Sequence, residues 1–332
     1  MKAAFLDKPE HFDLREVNLP EPLANEVRIK LKKVGICGSD MHLFQGHRLL
    51  SQPTVIGHEG LGFVDKIGAN VKTKNIGDRV VVEPNINCGQ CRFCLKGRGN
   101  ICLQKRVLGL LENGCFAEYI GVPEDCCWLV PQSVSDDNAV LIEPMAVAYH
   151  AVSKAGLSKN ESIAIIGLGT IGMLVCHLCQ ALGHTVYVSE LNEKKLQIAL
   201  SNGAKSLNIT NLSIKQYCEQ YDMIAVFECA GSKNSASFAI EQAPRGAKVI
   251  LTGLSEQPSS FIPLMLVRED IQILPSIIYN HPLDFAKVID LMEKKVIDPS
   301  FILTGHSDLK YIQSAFESCL CGDHIKYIIE VE

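Results

Sequence analysis

No apolar run in this chain is long enough to cross a bilayer. The most apolar stretches, 163–166 and 174–182, are short or interrupted by Gly, Thr, His and Gln. The opening residues, Met1 to Pro9, contain no apolar core of the kind a secretory leader needs. There is no long basic run, and the formal charge is −5, which argues against nucleic acid as the principal partner. Internal repeats and low-complexity tracts are also missing. These absences lead to the expectation of a cytoplasmic protein in a reducing compartment, with no membrane and no nucleic-acid partner.

The 332 residues suffice for two domains, and the 47% hydrophobic content with 25 glycines fits a globular chain of strands and tight turns. Fourteen cysteines would suit a disulfide scaffold by number but not by placement. Four of them cluster between Cys88 and Cys102, and Cys37 stands with other candidate ligands. Most of the rest are scattered, often in apolar company as at Cys176 and Cys179, where a free thiol acts as a small hydrophobe.

The pattern of apolar residues changes part-way along the chain. Residues 27–34 alternate, with Val27, Ile29 and Leu31 opposed to Arg28, Lys30 and Lys32, which is the period of a half-buried strand. Further short strands are expected at 60–67 and 79–83, separated by Gly-containing turns. Beyond about residue 145 the reading becomes strand and helix in alternation. Helix is expected at 145–155, 171–182 and 193–201, and strand at 162–166, 185–189, 223–228, 247–252 and 271–274, where Pro275 interrupts. Repeated β-α units imply a doubly wound parallel sheet, so the fold class is α/β. Residues 283–294 form an amphipathic helix pattern through Phe285, Val288, Ile289 and Met292, and 325–329 is a last strand that could return to the first domain.

The spacing Cys88-x2-Cys91-x2-Cys94-x7-Cys102 is that of four thiolates wrapping one tetrahedral zinc. Gly89, Gly97 and Gly99 let the loop curl, and few large apolar residues are present to fold it without a metal. An iron–sulfur cluster and a redox-labile empty site are the alternatives. A closed thiolate site has no open position, so this ion is expected to be structural.

Gly167-Leu168-Gly169-Thr170-Ile171-Gly172 follows an expected strand and opens an expected helix, the setting that a dinucleotide turn requires. Gly167, Gly169, Thr170, Ile171 and Gly172 are candidate cofactor-binding residues, with the first helical N–H groups facing the phosphates. Eighteen residues after Gly172 stands Glu190, a carboxylate able to accept ribose hydroxyls and to repel the extra phosphate of NADP. NAD is therefore expected over NADP. Lys194 and Lys195 weaken that repulsion, and Lys195 is counted among the cofactor-binding candidates.

A second ligand set comprises Cys37, His58, Glu59 and Glu143. One thiolate, one imidazole and a carboxylate leave a position for water or a substrate oxygen on a catalytic zinc. Glu59 and Glu143 both remain possible fourth groups, direct or through water. Such an ion favours loss of the alcohol proton and so eases hydride transfer to a nicotinamide. Ser39 could pass the proton on, and His42 could carry it to solvent. Asp40 reads as a structural carboxylate.

Gly35-Ile36-Cys37-Gly38-Ser39-Asp40, Gly57-His58-Glu59, the four-cysteine lobe, Ile142-Glu143-Pro144 and the glycine turn together resemble the zinc-containing medium-chain dehydrogenases, especially the sorbitol-like polyol and threonine branches. The resemblance implies a GroES-like, partly open β-barrel catalytic domain at 1–146 completed by 276–332, and a Rossmann domain at 147–275. It further implies two zinc ions per chain, a secondary alcohol or polyol as substrate, and homodimers or homotetramers built through the cofactor domains. Threonine or a sugar-alcohol phosphate is the next substrate class. Glu143 stands where liver-type alcohol enzymes carry a second cysteine ligand, a departure that favours the polyol-like branch. Two other classes remain open on this scaffold: a zinc-free reductase, which would not need Cys37, His58 and Glu59 together, and a nucleotide-binding protein without turnover.

Overall fold

The computed structural model describes residues 1–207 and 213–331. The chain forms two compact units, Met1–Glu143 with Asn280–Glu332 and Pro144–Tyr279.

The first unit is organised around the strand Glu26–Ile36. Its alternation buries Val27, Ile29 and Leu31 almost completely. The strand pairs antiparallel with Glu59–Ile67. It also pairs with Tyr119–Pro123 along its first half and with Lys326–Glu330 along its second. Arg79–Val82 and Cys127–Leu129 extend the sheet beyond Glu59–Ile67, and Leu303–Asp308 extends it in parallel beyond Lys326–Glu330, giving seven strands. A three-stranded sheet of His11–Glu16, Lys2–Lys8 and Thr54–Val55 stands beside it. The late segment 325–329 thus lies within a sheet begun some 290 residues earlier, as in the Lys326 Nζ to Ile36 carbonyl contact of that separation.

Four phenylalanines fill the core of this unit. Phe316, on the helix Ile312–Cys319, stands with its ring centroid 4.7 Å from that of Phe12, 5.1 Å from Phe44 and 5.6 Å from Phe116. Each buried ring contributes about 1.5–3 kcal/mol of transfer free energy. Trp128 packs on Phe285 with centroids 5.6 Å apart and donates Nε1–H to Glu83 at 2.7 Å.

The second unit carries a six-stranded parallel sheet in the order Lys205–Ser206, Thr185–Ser189, Ser162–Ile166, Met223–Glu228, Lys248–Leu251, Gln272–Pro275. Numbered along the chain this is 3-2-1-4-5-6, the doubly wound dinucleotide-binding arrangement. Ile163, Ala164 and Ile165 are wholly buried, as a central parallel strand covered on both faces must be. The helix expected at 171–182 spans Thr170–Ala181 and turns Leu174, Val175 and Leu178 inward. Asn192 caps the helix Glu193–Ser201 by accepting from the N–H groups of Lys194 and Lys195. Pro275 closes the last strand instead of preceding a break, because that strand lies at the sheet edge, where a missing N–H costs little.

Candidate active site

The four-cysteine lobe is shaped by backbone. Two short 3-10 turns, Cys94–Lys96 and Gly99–Ile101, fold the loop so that the sulfurs of Cys88, Cys91, Cys94 and Cys102 lie within 4.8 Å of one another. Cys91 Sγ is 3.5 Å from Cys94 Sγ and 3.9 Å from Cys102 Sγ, and Cys88 Sγ is 3.9 Å from Cys94 Sγ. Sulfurs around one zinc at a Zn–S distance of about 2.3 Å stand roughly 3.8 Å apart in a tetrahedron, so the residues fit the ion. The N–H groups of Cys88 and Gln104 point at Cys102 Sγ at 3.4 Å each. Backbone N–H groups also hold the Cys91 thiol down at about 6, which favours the thiolate a metal requires.

The second cluster gathers Cys37, His58 and Glu59, whose donor atoms also lie within 4.8 Å of one another. Cys37 caps the short helix Gly38–Phe44, and its N–H is held by Asp40 Oδ2 at 2.9 Å. The other oxygen of Asp40 stands 3.2 Å from His58 Nδ1, at an angle too poor for a regular hydrogen bond. The wholly buried Asp40 therefore backs the imidazole, as carboxylates behind metal-binding histidines do, while Nε2 faces Ser39 Oγ at 3.5 Å. Burial works against a charged His58, but Asp40 and then Cys37 outweigh it and raise its pKa well above the ordinary value.

Glu59 has a partner that sequence reasoning missed. Lys326 Nζ lies 2.7 Å from each Glu59 oxygen and 2.9 Å from the Ile36 carbonyl, with both side chains fully buried. The one signal was a lysine in the apolar run Ile325 to Ile329. Burial opposes its charge, yet Glu59 and then Cys37 leave the Lys326 pKa raised. Glu143, in the first turn of the helix Ile142–Ala155, is not a member of the three-residue group. It feels the same charges. Burial pushes its carboxyl up to about 8, opposed by His58 and reinforced by Glu59. His42 is exposed on the short helix, with its Nδ1 atom 3.3 Å from that of His47.

In the second unit the glycine turn has the geometry a dinucleotide needs. Gly167 takes φ +89°, and a Cβ on Gly172 would meet the Gly167 carbonyl at 2.0 Å, so strand and helix approach too closely for any side chain there. Gly169 caps the helix without a side chain, and a Cβ there would meet nothing within 4 Å, so its surroundings are open to a ligand. Thr170 and Ile171 form the first helical turn. Glu190 accepts from Leu168 N–H at 2.6 Å with one oxygen, and from Leu191 and Asn192 N–H at 2.8 and 2.9 Å with the other. A carboxylate has about four acceptor directions, so one remains for a ribose hydroxyl. Lys195 lies in the first turn of the next helix, with its N–H bound to Asn192. Glu228 was also missed. It is buried at the end of its strand, and its Oε1 accepts from Ala230 N–H, Gly231 N–H and Ser235 Oγ–H, tying together the neighbouring turn.

Two family models match the chain: the alcohol dehydrogenase GroES-like domain over residues 23–132 and the zinc-binding dehydrogenase over residues 170–294. The starvation-sensing protein RspB of Escherichia coli is 30% identical, covering 95% of this chain and 94% of its own. Sorbitol dehydrogenase of Bacillus subtilis is 31% identical, covering 96% and 94%.

The chain belongs to the zinc-type medium-chain alcohol and polyol dehydrogenases.

The solved structure of the E. coli CFT073 alcohol dehydrogenase rspB, complexed with NADH, superimposes on this dehydrogenase with a TM-score of 0.92 at 29% identity, covering 99% of each chain. The expected α/β architecture, a GroES-like sheet unit and a separate Rossmann sheet, is the one observed. With two candidate metal-binding clusters, the dehydrogenase is a zinc- and NAD(P)-dependent oxidoreductase that moves hydride to or from an alcohol. Among the described residues, no helix of the dehydrogenase is long and apolar enough to cross a membrane.

Proposed function

We propose that this dehydrogenase oxidises a secondary alcohol of a polyol or sugar alcohol, with NAD in preference to NADP. The observation that carries the reading is the group Cys37, His58 and Glu59, brought within 4.8 Å in a unit that also holds a closed four-cysteine lobe. A zinc held there supplies a Lewis acid that makes the substrate hydroxyl acidic, and NAD supplies the hydride acceptor. Cys37 and His58 would hold that ion, with Glu59 or Glu143 joining directly or through water, and Cys88, Cys91, Cys94 and Cys102 would hold the structural one. The Asp40 carboxylate stands behind His58, 3.2 Å from its Nδ1, and favours its charged form. Ser39 Oγ accepts the alcohol proton as it passes its own hydroxyl proton on, and the exposed His42 carries that proton to solvent. Gly167, Gly169, Thr170, Ile171 and Gly172 receive the pyrophosphate. Glu190 accepts a ribose hydroxyl and repels a 2′-phosphate, and Lys195 borders that site.

On this reading residues 1–146 and 276–332 form the catalytic domain and 147–275 the NAD-binding domain. The protein works in the cytoplasm as a homodimer or homotetramer. An edge strand at Gln272–Pro275, with Leu264 and Val267 exposed at 56% and 80% on the helix Pro263–Glu269, supports assembly through the cofactor domain. Threonine or a sugar-alcohol phosphate is the second reading, favoured by the exposed Arg48 on the loop after the short helix.

Metal analysis should find two zinc per chain, and Cys37→Ala should remove one of them. NADH formation is then screened across sorbitol, xylitol, inositols, threonine, butanediol and sugar-alcohol phosphates. Zinc and NAD bound with no turnover of any alcohol would replace this reading with that of a non-catalytic nucleotide-binding protein.

A further inference from the structure

The short helix Gly38–Phe44 ends in a defined stop. Gly46 takes φ +73°, its N–H donates to the Leu43 carbonyl at 3.0 Å, and His47 N–H donates to the His42 carbonyl at 3.0 Å. These two bonds make a Schellman motif, which folds the residue after the glycine back onto the side chain five positions earlier. That contact is commonly apolar. Here it joins two imidazoles, His42 and His47, with ring centroids 5.5 Å apart and planes at 51°.

The stop is braced from outside. Glu10 N–H donates to the Phe44 carbonyl at 2.6 Å, and a Cβ on Gly46 would meet Pro9 Cγ at 2.8 Å. The backbone that carries the two residues is therefore fixed, and both rings are exposed. Their Nδ1 atoms are 3.3 Å apart. Two nitrogens on one tetrahedral zinc, at Zn–N distances of about 2.0–2.1 Å, stand roughly 3.3–3.4 Å apart. The separation suits a shared metal ion better than a shared proton, since hydrogen bonds from N–H centre on about 2.9–3.0 Å.

We propose that His42 and His47 form a further metal site on this chain, separate from the two clusters described above, which takes Zn²⁺ or another divalent transition metal through both Nδ1 atoms. Solvent water completes the coordination, and imidazole ligands suit zinc, nickel and copper. Occupancy withdraws the His42 lone pair, so excess zinc inhibits turnover. The inhibitory half rests on His42 as the proton exit proposed above, whereas the binding half does not.

The test uses holoenzyme already saturated in zinc at the two clusters, dialysed against rising Zn²⁺. The wild type should take up one further zinc per chain. His47→Gln, an exposed substitution, should lose that uptake and the accompanying inhibition, while His11→Gln, which removes another exposed imidazole, paired with Asp7 Oδ1 at 2.7 Å, should keep both. No further zinc in the wild type, or undiminished uptake by His47→Gln, overturns the site. Uptake without inhibition overturns the inhibitory half and removes His42 from the proton path.

Discussion

Lys326 is the group whose removal tests most directly how the catalytic cluster is held. Its ammonium makes three contacts, two to Glu59 at 2.7 Å and one to the Ile36 carbonyl at 2.9 Å, which satisfy its three donors. Neither side chain of the pair touches solvent. Lys326→Met keeps the apolar stem and deletes the ammonium, leaving the buried Glu59 carboxylate without its ion-pair partner once zinc is stripped from the cluster. Removing one member of a buried pair costs about 3–5 kcal/mol, a factor of more than a hundred in the folding equilibrium. Lys294→Met, which breaks the exposed pair with Asp290, should cost about 0–1 kcal/mol. The assay is urea unfolding of enzyme stripped of the ion at Cys37, His58 and Glu59 by a chelator, followed by fluorescence of Trp128, the single tryptophan, which sits in the same unit as the pair. Replacing both partners, Lys326→Met with Glu59→Gln, should recover most of the loss, because no charge is then left unpaired. A cost for Lys326→Met no greater than that for Lys294→Met, or a double variant no more stable than the single one, would refute mutual neutralisation.

Further outcomes follow from the other sites. Cys102→Ser should remove one zinc per chain while leaving the ion at Cys37 in place; a loss of both ions in metal analysis would show the lobe to be coupled to the catalytic cluster. Glu190→Ala should lower kcat/KM for NAD roughly ten- to a hundred-fold, the worth of a charged hydrogen bond, and improve that for NADP; an unchanged NAD/NADP ratio would remove Glu190 from coenzyme choice. His281 is tied to the buried Glu83 at 2.8 Å, and this hydrogen bond, against partial burial and with help from Asp125, raises its pKa above the ordinary 6.5. A raised folded-state pKa gives stabilisation that is complete below about 6.5 and fades as pH climbs through the folded value. The thermal stability advantage of the wild type over His281→Phe should therefore shrink as pH rises above about 6.5; an advantage that grows with pH would contradict the pairing.

What could be read in the chain without coordinates was what depends on near neighbours. The cysteine spacing, the Gly167 to Gly172 turn and the Val27, Ile29, Leu31 alternation each encode their geometry within a few residues. The helices and parallel strands of the second unit followed from periodicity: 193–201 has its expected ends behind the Asn192 cap, 171–182 lies one residue earlier behind Gly169, and 145–155 begins three residues earlier at Ile142. Contacts across long separations were not legible. Lys326 reaches Glu59 over 267 positions, and His281 reaches Glu83 over 198. Each depends on the closing of a sheet or the docking of a helix, and no local pattern encodes that. Asp40 lies between these cases. Its structural role was readable from the turn, but its place behind His58 required two strands and a helix to be assembled. Glu190 was singled out for a ribose, and its grip on the Leu168 N–H shows that it also holds the turn.

The separation between Glu59 and Lys326 also sets a schedule. At roughly 5–20 residues per second, a ribosome that has just made Glu59 needs about a quarter of a minute to a minute to reach its counter-ion. Throughout that interval the strand Lys326–Glu330, one of three that pair with Glu26–Ile36, does not yet exist, and the carboxylate lacks its ammonium partner. The nascent first unit therefore waits as an open sheet while the whole second unit emerges and has time to fold.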